Sequence, residues 1–209
     1  MSSENFTKGQ GAQRNEINRF EKYTFEPEED DFLKTKTTFT EVFPKTIVNE
    51  VKSPDIRMEY SVNPYQGCEH GCSYCFARPT HEFWGFSAGT DFERKIMVKK
   101  NAPELLENFF QKRNYVPKTI TLSGNTDCYQ PAERQFEITR KLLKLCLDYR
   151  HPVSILTKNA LVLRDLDILK PLSEQNLVSV SFSIPTVNEE IRRKMEPRTS
   201  SVKNLRIKT

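Results

Sequence analysis

The sequence predicts an α/β protein built on a parallel sheet. Two observations carry this expectation. From about residue 58, short apolar or β-branched runs alternate with amphipathic stretches of helical spacing. The stretch "GCEHGCSYCF", residues 67–76, then places three cysteines directly after the first strand of that series. In α/β folds, chemistry gathers at the C-terminal ends of the strands.

The elements follow in order. "MEYSVNP" (58–64) reads as a strand. "APELLENFFQKRN" (102–114) reads as a helix, with Leu105 and Phe109, and Leu106 and Phe110, at i,i+4 spacing. "KTITLSG" (118–124) is a second strand. "PAERQFEITRKLLKLCLDYR" (131–150) reads as one long helix with a proline start. "PVSILTK" (152–158) is a third strand, and "RDLDILKPLSEQ" (164–175) a helix broken at Pro171. "LVSVSFSIP" (177–185) is a fourth strand, and "VNEEIRRKM" (187–195) a last helix. About four βα units result.

Residues 1–57 differ from the remainder, 58–209. "FEPEEDDF" is an acidic run, "KTKTTFT" is polar, and helical periodicity is absent. The expectation is an N-terminal extension, partly flexible, or an arm lying over the domain and pinned by Phe20, Tyr23 and Phe25. "SPD" (53–55) reads as the turn leading into the domain.

The formal net charge is +4, too mild for a dedicated nucleic-acid arm. Hydrophobic residues make up 36%, and the mean hydropathy is −0.65, low for a compact chain. Apolar runs of membrane-spanning length are absent, and "MSSENFTKGQGAQRNEINRF" has no apolar signal core. A cytoplasmic location is expected, where thiols stay reduced. Five cysteines there point to metal or redox chemistry rather than disulfides.

Cys68, Cys72 and Cys75 have the spacing Cys-x3-Cys-x2-Cys. Thiolates this close suit one soft metal centre. Structural zinc takes four protein ligands, and here His81 is the best fourth, ahead of His70, Cys128 and Cys146. The alternative is an iron-sulfur cluster with three protein ligands. Its open iron would receive a small molecule, as catalytic metal sites keep an open position. A zinc- or cluster-binding module without catalysis is the rival to an enzyme.

With Tyr74 before the last cysteine, "CEHGCSYC" resembles the signature of the radical S-adenosylmethionine (SAM) superfamily. "GQGAQRNEINRF", "SPDI", "SVNPYQGCEHGCSYCFARPTHEFWGFSAGTDFE", "TDCYQPAE", "HPVSILTK", "LVLRD" and "MEPRTS" extend the likeness over most of the chain. They resemble a bacterial group akin to spore photoproduct lyase, described as DNA repair photolyase-like. The resemblance implies a partial (β/α)6 barrel and a 4Fe-4S cluster on Cys68, Cys72 and Cys75. It further implies SAM on the fourth iron, reductive cleavage to a 5′-deoxyadenosyl radical, and hydrogen abstraction from an unassigned substrate. A reducing partner such as flavodoxin or ferredoxin follows, and nucleic acid as substrate follows by analogy alone.

The same likeness orders the remaining candidates. Tyr74 is expected near the adenine. Asn125, Thr126 and Asp127, in "SGNTD", are expected to accept from the SAM ammonium. Ser183, with Ser181, is placed for the ribose. Arg198 is placed for the SAM carboxylate, with Arg192 and Arg193 as rivals. Cys128 stands where related sequences generally have proline and is a weak candidate hydrogen-atom donor. Arg94, Lys95, Lys99 and Lys100 form the basic cluster that phosphate contact would use. A radical SAM core usually has about six βα units, so the chain reads as C-terminally incomplete, with its fourth strand an open edge, and an inactive truncated fragment is a further alternative to an enzyme.

Overall fold

The computed structural model describes residues 9–20, 36–53, 55–56 and 58–205. Tyr23, Phe25, the acidic run and Pro54 lie outside the described residues.

Two sheets form the frame. The larger has five strands: β2 (Val48–Glu50), β3 (Tyr60–Val62), β6 (Ile120–Leu122), β7 (Val153–Thr157) and β8 (Val178–Phe182), in that order. The pairs β3–β6, β6–β7 and β7–β8 are parallel, and β2 is antiparallel to β3. The smaller sheet is β1 (Thr38–Val42), β5 (Lys95–Lys99) and β4 (Tyr65–Gln66), in the order β1-β5-β4.

The four parallel strands are those expected from the alternating pattern. Their apolar residues form the core: Val62, Ile120, Leu122, Val153 and Ile155 are almost fully buried. Helices α2 (Ala102–Phe110), α4 (Ile138–Asp148) and α5 (Leu166–Glu174) cover them through Leu106, Leu142, Leu143 and Leu172. Near-continuous apolar strands are what a parallel sheet covered by helices requires. Strand β8 pairs only with β7 among the described residues, and Ser179, Val180 and Ser181 are exposed.

Three expectations need correction. The long helix over 131–150 is two pieces, α3 (Glu133–Phe136) and α4, separated by Glu137 in a left-handed conformation at φ 51°. The buried Glu133 carboxylate accepts from the Thr139 and Arg140 amides and so caps α4. Pro171 does not break α5, because Ile168, Leu169 and Leu172 hold the helix against the sheet. The boundary at residue 57 is not a structural one either. Strand β1 adds to β5 in parallel and β2 adds to β3, so residues 36–53 belong to the sheets. The remaining short helices are α1 (Asp91–Arg94), α6 (Glu189–Met195) and α7 (Val202–Leu205).

Candidate active site at the strand mouth

The cysteine loop leaves β4 and turns back at Gly67 and Gly71, whose φ values are 79° and 68°. A left-handed turn at both positions is natural only for glycine. All five cysteines are free thiols. Cys68 and Cys72 are buried and Cys75 is half-buried. All three line one cavity of about 240 Å³ at the C-terminal ends of the parallel strands. Burial pushes the Cys68 thiol up, and it pushes the Cys72 thiol up to about 12.

The end of β6 and the end of β7 complete the wall. Asn63, just after β3, accepts from the Asn125 and Thr126 amides through its Oδ1, at 3.0 and 3.2 Å. The Asp127 carboxylate is the keystone. It accepts from the Tyr129 amide (2.8 Å), the Thr157 hydroxyl (2.8 Å) and the Lys158 amide (2.7 Å). It also stands 3.1 Å from His70 Nε2 on the cysteine loop. Burial alone would raise its pKa, but the adjacent His70 and the Lys158 and Tyr129 amides hold it below the usual value.

Sequence reasoning missed Lys158 and Glu196. Lys158 directly follows β7, and its ammonium donates to Ser183 Oγ (2.7 Å) and Tyr74 Oη (3.1 Å) and pairs with the buried Glu196 (2.6 Å). Tyr74 also donates to Glu196. Burial works against the Lys158 charge, but the hydrogen bonds to Glu196 and Tyr74 outweigh it and raise the pKa. Burial and then the Glu196 hydrogen bond push Tyr74 up to about 12. The only available signal was position, since Lys158 is the last residue of a predicted strand.

The expected residues therefore divide. Tyr74, Asn125, Thr126, Asp127 and Ser183 all line the cavity with the cysteines. Thr126 donates its hydroxyl to the Tyr65 carbonyl (2.8 Å), and both Asp127 oxygens already accept from neighbouring groups. The exposed Asn125 side chain makes no hydrogen bond among the described residues and is the open polar group there. Ser181 is exposed but outside the cavity.

Arg198 is also outside. It pairs with Glu93 at 2.6 Å beneath Gly71, while its backbone amide donates to the His70 carbonyl at 3.2 Å. Its role is to hold the loop from behind. Arg192 is buried and bonded to the Glu196 and Thr199 carbonyls, and Arg193 is exposed. Cys128 is fully buried in the main core and does not reach the cavity, which overturns the donor reading. The chain turns inward after Asp127, so a residue at the strand mouth in sequence is below it in space.

His81 lies away from the thiol cavity, packed against Phe86 and Phe92 at ring distances of 5.3 and 5.5 Å. Burial pulls it down to about 4, so it is neutral. Among the described residues, no three His, Cys, Asp or Glu side chains converge on a point one ion could occupy. A tetrahedral zinc would draw its sulfurs to about 3.8 Å of one another. Three thiolates opening onto one cavity are a donor set that suits an iron-sulfur centre, in which each thiolate would hold its own iron.

The basic cluster is also dispersed. Lys95 pairs with Asp91 and Lys100 with Glu41, while burial pulls Lys99 down to about 8.

The comparisons agree with this geometry. The sequence profile of the Radical SAM superfamily matches residues 62–206, and the chain belongs to that superfamily. An uncharacterised protein of Mycobacterium tuberculosis is 37% identical over 78% of this chain and 48% of its own length. One from Methanocaldococcus jannaschii is 31% identical over 81% of this chain and 60% of its own. A solved spore photoproduct lyase mutant, with bound SAM and dinucleoside spore photoproduct, superposes with a TM-score of 0.54 at 19% identity. That match covers 79% of this chain and 45% of the other, and it shows a shared fold. The chain spans about half the length of the Mycobacterium relative.

Proposed function

We propose that the chain carries the cluster- and SAM-binding part of a radical SAM enzyme, with a 4Fe-4S cluster on Cys68, Cys72 and Cys75. The observation that supports this most is the opening of all three thiols onto one cavity, walled by the ends of β6, β7 and β8. A cluster held by Cys68, Cys72 and Cys75 would supply, when reduced, the electron for reductive cleavage of SAM, and that cleavage would supply the hydrogen-abstracting group. The protein binds, orients and excludes water.

Each wall residue has a task in that reading. Lys158 offers a cation to the SAM carboxylate, and Glu196 holds the ammonium in place. Asn125 offers its amide oxygen to the SAM ammonium. Ser183, fixed by Lys158, faces the ribose, and Tyr74 packs beside the adenine. An external reductant such as flavodoxin or ferredoxin is required. A lyase reaction and a nucleic-acid substrate are proposed by analogy with the spore photoproduct lyase complex. DNA affinity that falls steeply with salt is the check on that last point.

The test is anaerobic reconstitution with iron and sulfide, followed by EPR of the reduced protein with and without SAM. About four irons per chain and a spectrum that changes with SAM are expected. Tightly bound zinc with no cluster would sink the reading. Substituting Lys158→Met is expected to weaken SAM binding by at least about tenfold, because a carboxylate loses its charged partner in a sheltered site. An unchanged dissociation constant by equilibrium binding would remove Lys158 from the site.

A further inference from the structure

The stretch "GQGAQRNEINRF" (9–20) has no place in the cavity, yet it is one of the most tightly pinned parts of the chain. It crosses the outer side of the cysteine loop. Gly11 and Ala12 donate their amides to the two oxygens of Glu93, at 3.3 and 2.8 Å. Asn15 accepts from the Thr90 hydroxyl (2.8 Å) and the Asp91 amide (2.9 Å) through Oδ1, and donates to Asp91 (2.9 Å) through Nδ2. Asn18, almost fully buried, donates to the Glu82 and Phe86 carbonyls.

Glu93 has no exposure and gathers four donors from three other segments. Besides the two strap amides it takes Arg78 at 2.5 Å and Arg198 at 2.6 Å. Arg78 in turn donates to the Cys72 carbonyl at 2.8 Å, and the Arg198 amide to the His70 carbonyl at 3.2 Å. The contact is also steric. A Cβ on Gly11 would stand 1.9 Å from the Gly71 carbonyl oxygen, so strap and loop touch backbone to backbone.

We propose that residues 9–20 are a strap that locks the cysteine loop in its metal-holding conformation, with Glu93 as its positioning residue. Glu93 acts through Arg78 and Arg198 and touches no thiol. A buried carboxylate satisfied by two guanidinium groups and two amides has few equivalent arrangements, so the loop has one geometry before any metal arrives. The strap holds the loop backbone at Gly71 and Ser73, on either side of Cys72, and slows escape of whatever the loop holds. That this is iron rests on the function proposed above.

Thiol alkylation of the metal-free chain separates the two ideas. The probe is iodoacetamide, read residue by residue by mass spectrometry. Cys72, 9% exposed, reports local opening of the loop, and Cys146, buried at 0% in α4, reports global unfolding. Glu93→Gln and Gly11→Ala are each expected to speed Cys72 alkylation about tenfold, the worth of one lost charge-assisted bond or contact. Cys146 is expected to be unchanged. Should Glu93→Gln fail to fold, Cys146 will show it and Gly11→Ala decides alone. Unchanged Cys72 rates in a folded variant, or equal acceleration at Cys72 and Cys146 in Gly11→Ala, would overturn the strap. In the reconstituted chain the same variants should lose iron to a chelator faster. If no iron binds at all, the proposed function fails while the alkylation result still judges the strap.

Discussion

Substituting Cys72→Ala is expected to leave less than about a tenth of the reconstituted iron and no SAM-dependent EPR change. Losing an outer partner alone costs about 10–100-fold in metal affinity, and losing a ligand costs more. The same result is expected for Cys68→Ala and Cys75→Ala, since all three thiols face one cavity. Cys128→Ala and Cys146→Ala are the controls. Both thiols are fully buried in the main core, away from that cavity, so iron content should hold while stability falls modestly. Iron retained at wild-type levels in any of the first three variants would mean that the loop is not the ligand set.

Glu133→Ala is expected to be the most destabilising single change outside the loop. Glu133 has no exposure. Its oxygens accept from Tyr65 Oη, the Thr139 and Arg140 amides, and Arg164 at 2.7 Å. Removing the carboxylate leaves a buried hydroxyl and two helix-end amides without their acceptor, and leaves Arg164 with Asp165 as its carboxylate partner. Breaking a buried charged network from one side costs about 3–5 kcal/mol, and at this chain length roughly 10 °C of melting temperature. Glu133→Gln keeps one acceptor oxygen and should fall between. Thermal and urea denaturation read the effect, and a loss below about 1 kcal/mol would show that the network is dispensable.

This second expectation also marks the limit of sequence reading. The run over 131–150 has helix-favouring residues throughout, so local preference alone joins it into one helix. The carboxylate of Glu133 folds back onto the start of α4 and forces the turn at Glu137. No periodicity encodes that, because Tyr65 and Arg164, its other partners, are distant in sequence. Strand β1 escaped notice for a similar reason. "TFTEV" is short and largely exposed, and only β5 gives its backbone a partner.

What the sequence by itself determined is the class of the fold and the position of the site. The apolar period fixes the four parallel strands, because a sheet covered by helices must be apolar along its length. The cysteine spacing, with glycines at 67 and 71, fixes the loop, because both demands are local. Tertiary structure alone decided which polar residues face the cavity. Cys128 and Arg198 turn away from it, while Lys158 turns toward it, held by Glu196. The physical reason is that side-chain direction at a strand end depends on where the chain goes next and on which distant charge it must satisfy. Glu93 and Glu196, both buried, make those choices from segments far along the chain.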